Sequence, residues 1–137
     1  MGLLHMGGNP YLSRYRMVPP HAVDTKQPAV VAKAVKDAFA KIGAQASFPL
    51  IDRLFEDVTG MFEGRYPGYR GIDMKYHDYE HTMQATVCLI HLLEGRSRTF
   101  DRPVLLARDW ELSAIAVLLH DSGYLTKTDD LERTGAK

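Results

Sequence analysis

Apolar residues recur at spacings of three, four and seven in several stretches of the chain, and no stretch of any length alternates apolar and polar positions. Helices have the first pattern and half-buried strands the second, so the sequence predicts an all-α fold. Proline in a first turn, Asp and Ser as N-caps, and glycine at the ends suggest the boundaries. The four predicted helices span residues 28 to about 46, 47 to about 64, 77 to about 94, and 109 to about 121.

Each predicted helix has an apolar stripe that can face a common core. In the third helix the predicted inner face includes His81, Cys88 and Leu92, and Cys88 is interpreted as a buried apolar residue rather than a nucleophile. Trp110 is predicted to cover one end of the core. The stripes of the first two helices consist of Val31, Ala34, Val35, Ala38, Phe39 and Ile42, and of Leu50, Ile51, Leu54, Phe55, Val58, Met61 and Phe62.

The predicted organisation is an extended N-terminal arm over residues 1–27, followed by a single helical domain over residues 28–137. The arm contains Gly-Gly-Asn-Pro and Pro-Pro, which interrupt regular structure. The turn-rich loop 65–75 precedes the third helix. We interpret it as a connector whose tyrosines pack on the core, with a placement of Arg65 or Arg70 near an anionic substrate as the less favoured alternative.

The charge and the cysteine content indicate in which compartment the protein is located and which classes of partner it binds. The formal net charge is 0, so nothing indicates bulk attraction to nucleic acid or to an anionic membrane. No apolar run approaches a membrane span, and no signal peptide is recognisable. The single cysteine cannot form an internal disulfide. These features predict a cytoplasmic protein that binds neither nucleic acid nor membrane.

Candidate chemistry is concentrated between residues 76 and 121. His77 and His81 are separated by four residues, so on a helix they share one face. His120 and Asp121 are adjacent where an apolar helix is predicted to break before Ser-Gly, and both can reach one ion only if the helix ends there. Imidazole and carboxylate ligands suit divalent ions such as zinc, manganese, iron or magnesium. Either pair alone is also common in satisfied core or solvated positions, and only together do they favour a metal site.

This combination resembles the HD superfamily of metal-dependent phosphohydrolases, which includes the cyclic-nucleotide phosphodiesterases. Residues 76–81 look like that family's Tyr-His-Asn-x-x-His opening, with Asp78 in place of Asn, and residues 120–124 look like its His-Asp-x-Gly signature. The resemblance covers about the second half of the chain. It implies an HD-like helical bundle with His81, His120 and Asp121 as metal ligands, and His77 as the acid or hydrogen-bond donor to substrate phosphate.

The resemblance also implies one or two divalent ions, among which zinc, manganese, iron, magnesium and nickel are not distinguished. It implies a small phosphoester substrate as well, with a nucleotide-like one favoured. The family uses a further Asp on a later helix, for which this chain offers only Asp129 and Asp130. The expectation is therefore a bundle truncated at its C-terminus and incomplete as a catalyst. Its open apolar face on the third and fourth helices predicts a homo-oligomer.

Two alternative functions stay open. Residues 77–81 also match the H-x-x-E-H pattern of a class of zinc peptidases, in which Glu80 would be the general base. That reading leaves His120 and Asp121 without a role. The other alternative is a non-catalytic HD-like binding or regulatory module, which the missing late Asp favours.

Overall fold

The computed structural model describes residues 23–41, 48–99 and 105–131, and in these ranges the fold is all-α, as predicted. Four helices are followed by one short 3₁₀ helix. Most of the predicted N-terminal arm lies outside the described residues. The elements are α1 (Pro28–Lys41), α2 (Phe48–Glu63), α3 (Tyr79–Thr99), α4 (Ala107–Leu119) and the 3₁₀ helix Ser122–Tyr124.

The predicted start of α1 and the predicted end of α2 are both confirmed. Pro28 opens α1, where a missing N–H costs nothing. The predicted extension of α1 to residue 46 and the predicted cap at Ser47 lie outside the described residues. Gly64 follows α2 with a φ of 71°, a left-handed conformation that glycine adopts without a Cβ penalty and that ends a helix.

The core lies between the four helices, which contact one another in the cyclic order α1, α2, α4, α3. Trp110 is 1% exposed and its ring lies 5.6 Å from that of Phe39, so the tryptophan joins α4 to α1 as a core residue. Buried apolar side chains come from all four helices and include Val31, Val35, Ile51, Val58, Met83 and Leu118. The first turn of α3 and the last turn of α4 are therefore available for side chains that do not belong to the core.

The predicted inner face of α3 was wrong. Cys88 and Leu92 are exposed, whereas Thr82, Met83 and Thr86 are buried. Apolar residues occur on nearly every side of this helix between positions 87 and 93, so their spacing does not select one face. Thr86 can be buried here because its hydroxyl donates to the Thr82 carbonyl oxygen at 2.8 Å, whereas the buried Thr82 hydroxyl has no hydrogen-bond partner among the described residues.

The limits of α3 also differ from the prediction. The helix begins at Tyr79, two residues after His77, because the Asp78 carboxylate accepts the N–H of His81 at 2.7 Å and so acts as the N-cap. Gly95 does not end it, and α3 continues to Thr99. His77 and His81 are therefore not an i, i+4 pair on one helical face.

The start of α4 lies two residues before the predicted cap. Asp109 is the third helical residue, and its carboxylate accepts the N–H of Leu106 at 2.8 Å, which is one half of a capping box. At the other end, α4 stops at Leu119, as the His-Asp argument requires. Gly123 is part of the 3₁₀ helix rather than a left-handed stop.

The segment after the 3₁₀ helix pairs with the loop before α3. Residues 125–128, called the strap below, run beside residues 68–70, with an antiparallel bridge between Tyr69 and Lys127. The Arg70 N–H donates to the Thr126 carbonyl oxygen at 2.9 Å, and the Thr128 N–H donates to that of Gly68 at 3.0 Å. Up to residue 131 the described chain contains no further α-helix, as expected.

Two other features of the described residues bear on the expected partners. Within ranges 23–41, 48–99 and 105–131, no helix combines the length and the apolar character needed to cross a bilayer. Exposed apolar side chains are present on α3 and α4, at Leu92 and Leu112. The self-association predicted from this face stays a prediction.

Gly71 lies where the loop 65–75 crosses the end of α2, and this close approach predicts the effect of a substitution on stability. A Cβ at Gly71 would lie 2.9 Å from the Phe62 carbonyl oxygen and 3.0 Å from the Gly64 nitrogen, both backbone atoms that cannot rotate away. We expect Gly71→Ala to lower the free energy of unfolding by about 1–3 kcal/mol, measured by urea denaturation.

The matched control is Gly95→Ala in the interior of α3, where an added methyl would meet no atom within 4 Å. Removing glycine from a helix interior should raise the free energy of unfolding by about 0.5–1 kcal/mol. Equal effects of the two substitutions would contradict the packing described for Gly71.

Candidate metal centre

Four side chains named from the sequence come together at one end of the bundle: His77, His81, His120 and Asp121. Asp121 lies at the centre. Its side chain is 6% exposed, whereas the three imidazoles are 34–44% exposed. A carboxylate is costly to bury unless it is paired, and among the described contacts its partners are the three histidines.

The sequence positions three of these residues through helix ends. His81 lies in the first turn of α3, where Asp78 fixes the backbone. His120 is the C-cap of α4 with helical dihedral angles, and Asp121 follows it with φ −96° and ψ 6°. This change of backbone conformation brings the two adjacent side chains together, with His120 Nε2 3.1 Å from Asp121 Oδ2. Adjacent residues within a straight helix would diverge.

The tautomer of His120 follows from its other ring nitrogen. His120 Nδ1 lies 2.7 Å from the Val117 carbonyl oxygen. A carbonyl oxygen only accepts hydrogen bonds, so Nδ1 carries a proton and donates it. In the neutral ring, Nε2 then has a free lone pair directed to the centre of the cluster. A backbone carbonyl that fixes a histidine in this way is typical of metal-ligating imidazoles.

The atoms facing each other in the cluster are spaced like the ligands of one cation. His120 Nε2 lies 3.3 Å from His81 Nε2 and 3.1 Å from Asp121 Oδ2, and the last two atoms are 3.9 Å apart. A point in the plane of these three atoms lies about 2.0 Å from each, close to the bond lengths of roughly 2.0–2.2 Å that zinc makes to histidine and carboxylate. The donor set and its spacing therefore fit a divalent ion.

His77 belongs to the same cluster but contacts it differently. The ligand atoms of His77, His81 and Asp121 all lie within 4.8 Å of one another, so this trio can hold a metal ion. Yet His77 Nδ1 is 3.2 Å from both carboxylate oxygens of Asp121, which also suits a hydrogen bond from Nδ1–H to the carboxylate. The geometry is compatible with a ligand and with the proton donor that the sequence suggested.

The late acidic residues, Asp129 and Asp130, follow the strap. Neither belongs to the metal-capable group of His77, His81 and Asp121 found among the described residues. The loop arginines also have other partners: Arg65 pairs with Glu63, and the Arg70 guanidinium donates to the Thr128 carbonyl oxygen at 2.7 Å. This pairing favours the connector interpretation of loop 65–75.

The peptidase alternative loses its structural basis. Its pattern needs two histidines on one helix with a glutamate beside them, and His77 precedes α3. The Glu80 carboxylate accepts hydrogen bonds from the Thr25 hydroxyl and the Gln84 amide, both at 3.3 Å. Glu80 therefore has partners that tie α3 to the start of α1 and to its own next turn.

Sequence reasoning missed three contributors to the site. Asp78 caps α3, and an Asp before a helical pattern was a usable signal. The Val117 carbonyl orients His120, and as a backbone group it leaves no trace in the sequence. The Tyr124 ring lies 4.7 Å from that of His77, at an interplanar angle of 33°.

Comparisons with known proteins place the chain in no family. The sequence matches no family model and no curated protein, and the fold matches no solved structure.

Proposed function

We propose that this protein is a metal-dependent phosphohydrolase acting on a small phosphoester, with His81, His120 and Asp121 as metal ligands. The observation that carries the proposal is the arrangement of His81 Nε2, His120 Nε2 and Asp121 Oδ2 around a point about 2.0 Å from each. The resemblance of residues 76–81 and 120–124 to the HD superfamily supplies the reaction class.

The exposure of the imidazoles favours a catalytic over a structural ion. Structural zinc sites are closed by four protein ligands, and catalytic sites keep a position open. Here the carboxylate is buried while the three rings are each about one-third or more exposed. A substrate phosphate can therefore approach from the side of the rings.

The chain's own residues would divide the work of hydrolysis. When bound, a divalent ion supplies positive charge that lowers the pKa of water and stabilises phosphoryl oxygens. Water attacks phosphorus, the ester P–O bond breaks, and the leaving oxygen takes a proton. His77 in its imidazolium form would donate that proton from Nε2, while Nδ1–H stays hydrogen-bonded to Asp121.

A non-catalytic binding module is the second candidate. The observation that favours it is that Asp129 and Asp130 are absent from the metal-capable group among the described residues. Elemental analysis alongside a panel of phosphomonoesters and phosphodiesters separates the two. The phosphohydrolase should release phosphate or a monoester only with a divalent ion present, and a module should show none at any metal concentration.

Removal of His81 tests the ligand assignment. We expect His81→Ala to lower the bound metal per chain sharply, because water replaces imidazole poorly in a site of this type. The measurement is metal content after equilibrium dialysis. His91→Gln is the matched control, since His91 lies on the same helix and makes no contact with the cluster among the described residues. Equal metal content in wild type and His81→Ala would remove His81 from the ligand set.

Removal of His77 tests its role. If His77 is the proton donor, His77→Ala should leave metal content close to that of the wild type and lower kcat by about 10²–10⁴-fold. The loss should be smallest for esters with acidic leaving groups, which need no proton. A loss of metal equal to that of His81→Ala would instead make His77 a ligand.

A further inference from the structure

His77 lies outside every helix of the described chain. It is the last residue of a bend over residues 75–77 and precedes α3 by two positions. A helical residue has its direction fixed by the turns on either side, but His77 has no such support. Its ring must therefore be oriented by side chains that contact it. The His81 ring, in the first turn of α3, meets it edge to face with centroids 5.6 Å apart, and Asp121 and Tyr124 contact it from the far side of the site.

These two contacts reach different parts of the ring. Asp121 meets the Nδ1 edge at 3.2 Å, while the Tyr124 ring lies against it with centroids 4.7 Å apart and an angle of 33° between the planes. The two partners are joined to each other, since the Tyr124 N–H donates to the Asp121 carbonyl oxygen at 3.0 Å. The hydrogen bond to Asp121 alone permits the ring to rotate about that bond, and the tilted Tyr124 ring packed beside it opposes the rotation.

Tyr124 is itself held on both sides along the chain. Before it is the end of α4, and after it the strap pairs with residues 68–70. That loop is attached to α2, because the Ile72 N–H donates to the Met61 carbonyl oxygen at 3.1 Å. The tyrosine ring is thus placed by the bundle and by the strap together.

We propose that Tyr124, which the strap holds in place, is a positioning residue that orients the His77 ring by direct contact. The contact is a property of the fold. Its effect on turnover rests on the proposed function. Leucine at this position would fill part of the space but would not restrict the ring plane, and phenylalanine would keep the aromatic face.

The first test uses the metal-free protein and involves no catalysis. An aromatic ring whose centroid lies 4.7 Å from that of His77 shields the carbon-bound protons of His77 that lie over its face, so their NMR signals should lie upfield of those of a solvated histidine. Tyr124→Leu should move them downfield, and Tyr124→Phe should leave them in place. His77→Gln identifies the signals by their loss, and Tyr66→Leu, which removes a tyrosine from the loop, is the matched control. Unchanged His77 signals in Tyr124→Leu would overturn the proposal.

The second test measures coupling to function. Tyr124→Leu should lower kcat by about 10-fold with little change in KM, and Tyr124→Phe should retain activity. In a His77→Ala background the same substitution should have almost no further effect, since residues that act through one another are not additive. Full additivity would overturn the positioning role. If the wild type hydrolyses no phosphoester, the proposed function fails while the NMR result still decides the contact.

Discussion

The site depends on one buried carboxylate. Asp121 is almost inaccessible to solvent, and three imidazoles from three parts of the chain converge on it. A carboxylate in this position is destabilising without partners, so the bundle is stable only if the histidines, or a cation held with them, compensate its charge. This requirement links the segment before α3, the first turn of α3 and the end of α4.

Those links use helix ends rather than helix faces. Within a helix, neighbouring side chains diverge by about 100°, and His120 and Asp121 can cooperate only where α4 stops. Likewise α3 starts late enough to leave His77 on the preceding bend, because Asp78 caps the helix. The faces of the helices form the core, and their ends hold the polar chemistry.

This division explains what the sequence could predict. The residues of the cluster were identifiable because their chemistry and spacing are local, and the all-α fold follows from periodicity. The inner face of α3 was not identifiable, since apolar residues surround the helix and only packing against α1 and α4 selects Met83 and Val87 over Cys88 and Leu92. The contacts of Tyr124 and of the strap were also hidden, because both join segments far apart in sequence, Tyr124 through its ring and the strap through backbone groups.

Two contacts between distant residues close the chain here, and the site contact lies within the loop of chain that the strap contact closes. The His77–Asp121 contact joins residues 44 apart, and the Gly68–Thr128 contact around it joins residues 60 apart. Once the inner contact exists, the outer one has only 16 residues left to close, which lowers its entropic cost by about 1 kcal/mol. During folding, the contact between His77 and Asp121 should therefore form first, and the strap should pair with residues 68–70 afterwards. Substitutions in the strap should then act mainly on the unfolding rate, as is general for contacts that form late in folding.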